Sequence, residues 1–119
     1  IDDSIIIRAL NNKLFRDMKG KEILREQPFM MYLPYNEVIE GGTFSEEKVI
    51  VQGVIDLMSV EGEEVTLVDY KYSRSTPDAI KQRYFEQMRV YTLAIEKILK
   101  KTVLRKVIYL LSQDKVVEF

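Results

Sequence analysis

Cysteine and histidine are both absent from this 119-residue chain, and that narrows its chemistry sharply. Without cysteine there are no disulfides, no thiolate-held zinc and no iron–sulfur clusters. Without histidine, no imidazole serves as acid, base or metal ligand from within the chain. Carboxylate, lysine, tyrosine and amide groups remain, and their hard oxygen donors suit magnesium, manganese or calcium. Also missing is any apolar run near the ~18 residues of a membrane span, so no membrane partner is expected, and no signal peptide opens the chain. Those two absences predict a cytoplasmic protein. Bulk positive charge is lacking too. A net charge of −1 gives no strong electrostatic footprint for nucleic acid beyond local clusters.

What is present is the composition of a globular domain: 46% apolar and 31% charged residues, enough for one core of its own. The chain opens on Ile1 rather than methionine and reads as a piece of something longer, with the N-terminal part of its domain missing. Ser4 is placed to cap a helix over about 5–19, with Ile6, Ile7, Leu10, Leu14 and Met18 on one face and Gly20 as its stop. Residues 22–33 read as a strand in which Pro28 marks a kink or a sheet edge. Residues 34–47 read as a loop broken at Gly41-Gly42. Two strands follow, 48–58 and 65–72. Pro77 then suits the first turn of a helix running to about Lys100, with Ile80, Tyr84, Met88, Tyr91, Ile95 and Ile98 as its apolar stripe. Strands at 103–111 and 116–119 close the chain. The order α-β-β-β-α-β-β predicts a single α/β (α+β) domain, a mixed sheet flanked by helices.

The middle strands carry the chemistry. Glu61-Gly62-Glu63-Glu64 is a polar, glycine-containing break that reverses a hairpin. An even-length loop centred between Gly62 and Glu63 pairs residues whose numbers sum to 125, so Asp56 faces Asp69. Opposed cross-strand side chains stand roughly 4.5–5.5 Å apart at Cβ, and like charges placed so destabilise the sheet. Alternation puts Lys71 on the face of Asp69, one pleat along. Two acids beside an ammonium make poor structure but a good seat for a divalent cation, and one of the acids should titrate high when no cation is there.

Four elements then fall in order: Arg25-Glu26-Gln27-Pro28-Phe29, Gly53-x-x-Asp56, Asp69-Tyr70-Lys71 and Gln87-x-x-x-Tyr91. In these motifs, above all VQGVIDL, VDYK and FEQMRVYTLAIE, the chain resembles the RecB-type nuclease domain of the PD-(D/E)XK superfamily, over nearly its whole length. The likeness is strongest to the C-terminal nuclease domains of the AddA (RexA) group of bacterial ATP-dependent helicase–nucleases. The resemblance implies a restriction-endonuclease-like fold and a Mg²⁺-dependent deoxyribonuclease, Mn²⁺ being an alternative. It implies metal ligation by Asp56, Asp69 and the carbonyl of Tyr70, with Lys71 directing the attacking water. Gln87 and Tyr91 would support the site or touch the DNA strand, although Tyr91 also fits the apolar stripe as core. Glu26 fits either a further site acid or a strand-end glutamate paired with a basic neighbour. Arg74, Lys81, Arg83 and Arg89 either meet phosphates or form a solvated face.

The implied partners are a single DNA strand fed by helicase domains of the same parent chain, and a second nuclease subunit of the AddB (RexB) type. The implied role is exonucleolytic end resection in double-strand break repair and recombination. The pattern departs from the family at three points. An upstream metal-ligating histidine is missing, Tyr72 stands where threonine is usual, and the cysteines of iron–sulfur relatives are absent. Residues 1–119 by themselves are therefore expected to be weak or inactive. The rival readings are a stand-alone PD-(D/E)XK endonuclease and a catalytically inert copy that docks or guides DNA.

Overall fold

Five strands in the order β1-β2-β3-β4-β5 form one mixed sheet with helices on both faces. The computed structural model describes residues 3–39 and 47–119. The elements are α1 (Asp3–Leu10), α2 (Lys13–Arg16), β1 (Glu22–Pro34), α3 (Tyr35–Val38), β2 (Lys48–Glu61), β3 (Glu64–Lys71), α4 (Pro77–Leu99), β4 (Thr102–Leu110) and β5 (Lys115–Glu118). Strands β1, β2 and β3 run antiparallel to one another in sequence, and β3 pairs with β4 in parallel across the α4 connection. β5 folds back antiparallel on β4. This is the mixed, helix-flanked sheet the sequence predicts.

Two expectations fail locally. The helix foreseen over 5–19 is two helices broken at Asn11-Asn12. The Asn12 side chain accepts the Leu14 N–H at 2.9 Å and starts α2, a short polar side chain competing with helix continuation. Ser4 lies inside α1 rather than before it. The segment after Pro34 is not all loop, because α3 forms there, while Gly41-Gly42 lies outside the described residues.

Long α4 does most of the packing on one face. Thr76 caps it by accepting the Ala79 N–H, Pro77 opens it, and Lys100 ends it in the left-handed conformation at φ 55°. Its buried Ala94 and Ile95 join Leu33, Val51, Ile55, Met58 and Leu67 in the main cluster, while its Ile80 and Met88 pack with Ile108, Leu110 and Val117. On the other face Leu14, Met18 and Phe15 meet Leu57, Val68, Val107 and Tyr109. β1 is the sheet edge and carries Pro28, an edge strand being where a sheet tolerates proline.

A kink in the β1–β2 arm decides where the acids go. Paired residues sum to 82 on both sides of it, from Glu22↔Val60 to Arg25↔Leu57 and from Gln27↔Ile55 to Pro34↔Lys48. Glu26 and Asp56 stand opposite each other without ladder pairing, and Glu26 takes φ 48°. The inward faces change parity there. Leu24 packs towards α4, and so do Phe29, Met31 and Leu33; on β2 the switch runs from Val51 and Ile55 to Met58 and Val60. A non-glycine residue at positive φ costs of order 1 kcal/mol or more, and such strain concentrates at functional sites.

Candidate active site

The β2–β3 hairpin has the register that the sequence arithmetic predicts, from Leu57↔Val68 to Glu61↔Glu64, with Gly62 at φ 60° in the two-residue turn. A positive φ at that position is what favours glycine there. The ladder ends one pair before the acids. Asp56 sits in the kink and its Oδ2 accepts the Tyr70 N–H at 2.8 Å, so a carboxylate holds the β3 backbone where the ladder has stopped. Asp56 and Asp69 both line one narrow cleft between the hairpin and α4, facing Met88 and Tyr91. The two acids converge on one side of the sheet.

Lys71 joins them. Its Nζ lies 3.3 Å from Asp69 Oδ2 and 4.7 Å from the centre of the Tyr84 ring, a cation–π seat. Asp69 Oδ2 is buried and, despite that ion-pair distance, accepts no well-formed hydrogen bond. Burial, reinforced by the Asp56 carboxylate, pushes the Asp69 carboxyl up to about 7 against the pull of Lys71. Two converging acids, one of which resists ionisation even with an ammonium beside it, make a site that further positive charge would favour. A divalent cation fits this donor set. Asp56, Asp69 and the carbonyl of Tyr70 would hold it, leaving water to complete the shell. No cluster of three or more carboxylate, histidine or cysteine residues with the spacing of a metal centre occurs among the described residues.

Tyr91 and Gln87 behave differently. The Tyr91 ring lies on Gly53, so close that a Cβ built there would stand 2.3 Å from its hydroxyl oxygen and 2.6 Å from Cζ. Phe29 meets the same ring edge-on, with centroids 4.9 Å apart. The glycine of Gly53-x-x-Asp56 and the tyrosine of Gln87-x-x-x-Tyr91 are thus two halves of one contact, which locks α4 onto β2 three residues from Asp56. Gln87 is half-buried one turn earlier on α4, with no side-chain hydrogen bond among the described residues. The structure does not tie it to the acids.

Glu26 faces Asp56 across the kink. Both line a cavity of about 400 Å³ on the α1/α2 side, together with Arg25, Phe15 and Tyr70. Of the basic residues, Arg74, Lys81 and Arg83 are exposed. Arg89 is engaged instead: it donates to the carbonyls of Glu37 at 2.9 Å and Val38 at 2.6 Å and pairs with Glu86. It anchors α3 rather than facing solvent. Sequence reasoning missed the kink, the Tyr84 seat and the loop contacts after Lys71. Pro28, two residues after Glu26, was the one local sign of irregular backbone.

The sequence profile of the PD-(D/E)XK nuclease superfamily matches residues 6–118. The chain is 35% identical over 118 residues to an ATP-dependent helicase/nuclease subunit of Clostridium kluyveri, covering 95% of this chain and 10% of that protein. Proteins of the same name from Carboxydothermus hydrogenoformans and Desulforamulus reducens are 34% and 38% identical over 103 and 105 residues. Those matches cover 84% and 86% of this chain but only 9% and 8% of the relatives. The chain spans about a tenth of the length of the curated relatives it matches. No described helix is long and apolar enough to cross a membrane. Profile, sheet order and motif order agree: this chain belongs to the PD-(D/E)XK nuclease superfamily.

Proposed function

We propose that residues 1–119 belong to the nuclease domain of a cytoplasmic ATP-dependent helicase–nuclease, which hydrolyses phosphodiesters of a DNA strand delivered by helicase domains of the same parent chain. A second nuclease subunit of the AddB (RexB) type completes the complex, and the role is exonucleolytic end resection in recombinational repair. The observation that carries the reading is the convergence of Asp56 and Asp69 on one cleft, with the Lys71 ammonium 3.3 Å from the buried Asp69 Oδ2. The relatives' shared name supports the same direction.

Each residue then has a task. Asp56 and Asp69 would supply two anionic ligands for Mg²⁺, with Mn²⁺ as an alternative, and the Tyr70 carbonyl a neutral third ligand. A cation held there contributes Lewis acidity and lowers the pKa of coordinated water. Asp69 would have to be ionised to hold a cation, since only the ionised carboxylate ligates well. The Lys71 ammonium stands ready to steady the attacking water or a phosphate oxygen as charge develops. Tyr84 holds that ammonium in place through its ring face. Tyr91 keeps β2 and α4 in register at Gly53, and Gln87 is assigned to the DNA side of the same helix.

The test is in the full-length protein on linear duplex DNA with ATP and Mg²⁺. Lys71→Ala or Asp69→Ala should abolish degradation, by on the order of 10²–10³ or more, while unwinding continues. Undiminished degradation by either variant would sink the reading.

A further inference from the structure

The turn between β4 and β5, residues 111–114, makes a set of contacts that no part of the proposed chemistry uses. On one side it is pinned to the first helices. Arg8 donates to the Leu111 carbonyl at 2.6 Å, Asn12 Nδ2 donates to Asp114 Oδ1 at 3.1 Å, and the buried Tyr109 hydroxyl donates to the same Asp114 oxygen at 2.6 Å. Asp114 itself holds φ 52°. The turn is therefore a fixed object in the fold.

On its other side it grips the backbone that leaves Lys71. Leu111 N–H donates to the Lys71 carbonyl at 2.9 Å. The Ser112 hydroxyl donates to the Ser73 carbonyl and accepts the Ser73 N–H. Gln113 Nε2 donates to the carbonyls of both Ser73 at 2.9 Å and Ser75 at 2.7 Å. Ser75 N–H closes the loop on Ser73 Oγ at 3.1 Å. A hydroxyl can donate once and accept, and an amide NH₂ can donate twice, so both donor groups are used to capacity towards this loop.

We propose that Gln113, with Ser112, is a positioning element for Lys71. The amide reaches across from the turn before β5 and fixes residues 73–75, so that the strand end carrying Lys71 cannot swing away from Asp69. Five residues separate Lys71 from the α4 start at Pro77, and without the clasp that short connector is held only at its ends. A displacement of about 1 Å at a reacting group is enough to cost on the order of 10²-fold in rate. The inference rests on the nuclease reading of Asp56, Asp69 and Lys71.

The experiment compares wild type, Lys71→Ala, Gln113→Ala and Gln113→Glu in the full-length protein, by steady-state degradation of single-stranded DNA with Mg²⁺. Gln113→Glu keeps the length of the side chain but cannot donate to either carbonyl. The expected result is a fall in kcat of roughly tenfold or more in both Gln113 variants, with KM for DNA within about twofold and unwinding unchanged. Gln113→Lys, which can donate again, should recover part of the lost kcat. A purely structural turn would lower thermal stability and leave kcat of the folded fraction intact. Wild-type kcat in Gln113→Glu, with Lys71→Ala inactive, would overturn this inference while leaving the nuclease reading standing. An inactive wild type, or an active Lys71→Ala, would overturn the nuclease reading and the inference with it.

Discussion

Replacing Asp69 by asparagine should stabilise the metal-free chain at neutral pH and remove part of its pH dependence. The Asp69 side chain is 17% exposed, and its carboxyl is raised from 3.8 to about 7, chiefly by burial and then by Asp56. Between those two values the folded state holds a proton that the unfolded state has released. Protonated Asp69 thus contributes stability that is fully present below 3.8 and is lost as pH rises through about 7. The gap is worth on the order of 4 kcal/mol at about 1.4 kcal/mol per pH unit. Solvent screening of a partly accessible carboxyl brings the expected gain nearer to about 2–3 kcal/mol. Asparagine keeps the volume, cannot ionise, and can donate its amide to Asp56. Asp17, held low by its Lys13 hydrogen bond, slopes the other way but does so in both proteins. The assay is urea unfolding of wild type and Asp69→Asn between pH 4 and pH 8, without divalent cation. Near pH 4 the two should agree, and by pH 8 the variant should be ahead. Adding Mg²⁺ should raise the wild type and leave the variant unmoved. Parallel pH profiles for the two proteins would refute the claim that Asp69 is a strained, cation-seeking acid.

Three further outcomes follow from single contacts. Gly53→Ala should cost about 1–3 kcal/mol by urea unfolding, because its Cβ meets the Tyr91 ring, and adding Tyr91→Leu should shrink that penalty; full additivity would refute the contact. Arg89→Ala should lower stability by about 1–2 kcal/mol by freeing the carbonyls of Glu37 and Val38, and should leave DNA affinity in a filter-binding assay unchanged. Calorimetric titration should find Mn²⁺ bound more tightly than Mg²⁺, since two carboxylates and a carbonyl give an incomplete shell that the more accommodating ion tolerates better; tighter Mg²⁺ would count against that ligand set.

The sequence by itself determined the order of the five strands and the long helix, the β2–β3 hairpin register and the placing of Asp69 and Lys71 on one face of β3. Each depends on short-range rules: a two-residue turn sets pairing, strand alternation has period two, and α4 declares itself by a cap, a proline and an apolar stripe. The resemblance carried by four ordered motifs named the superfamily. Where the reading failed, the cause was local competition that periodicity does not register. Asn12 breaks the first helix because its side chain takes the Leu14 N–H, while Ile6 and Leu10 keep the apolar spacing that suggested one continuous rod. Only the tertiary structure decided the rest. The kink at Glu26 and Asp56 needs two strands to change face together, a property of their pairing and not of either sequence. That Gly53 and Tyr91 are one contact, that Tyr84 seats Lys71, and that Gln113 grips Ser73 and Ser75 all join residues about 13 to 40 positions apart. Such pairs leave no spacing to read, because their distance is set by how α4 and the β4–β5 turn come to rest on the sheet.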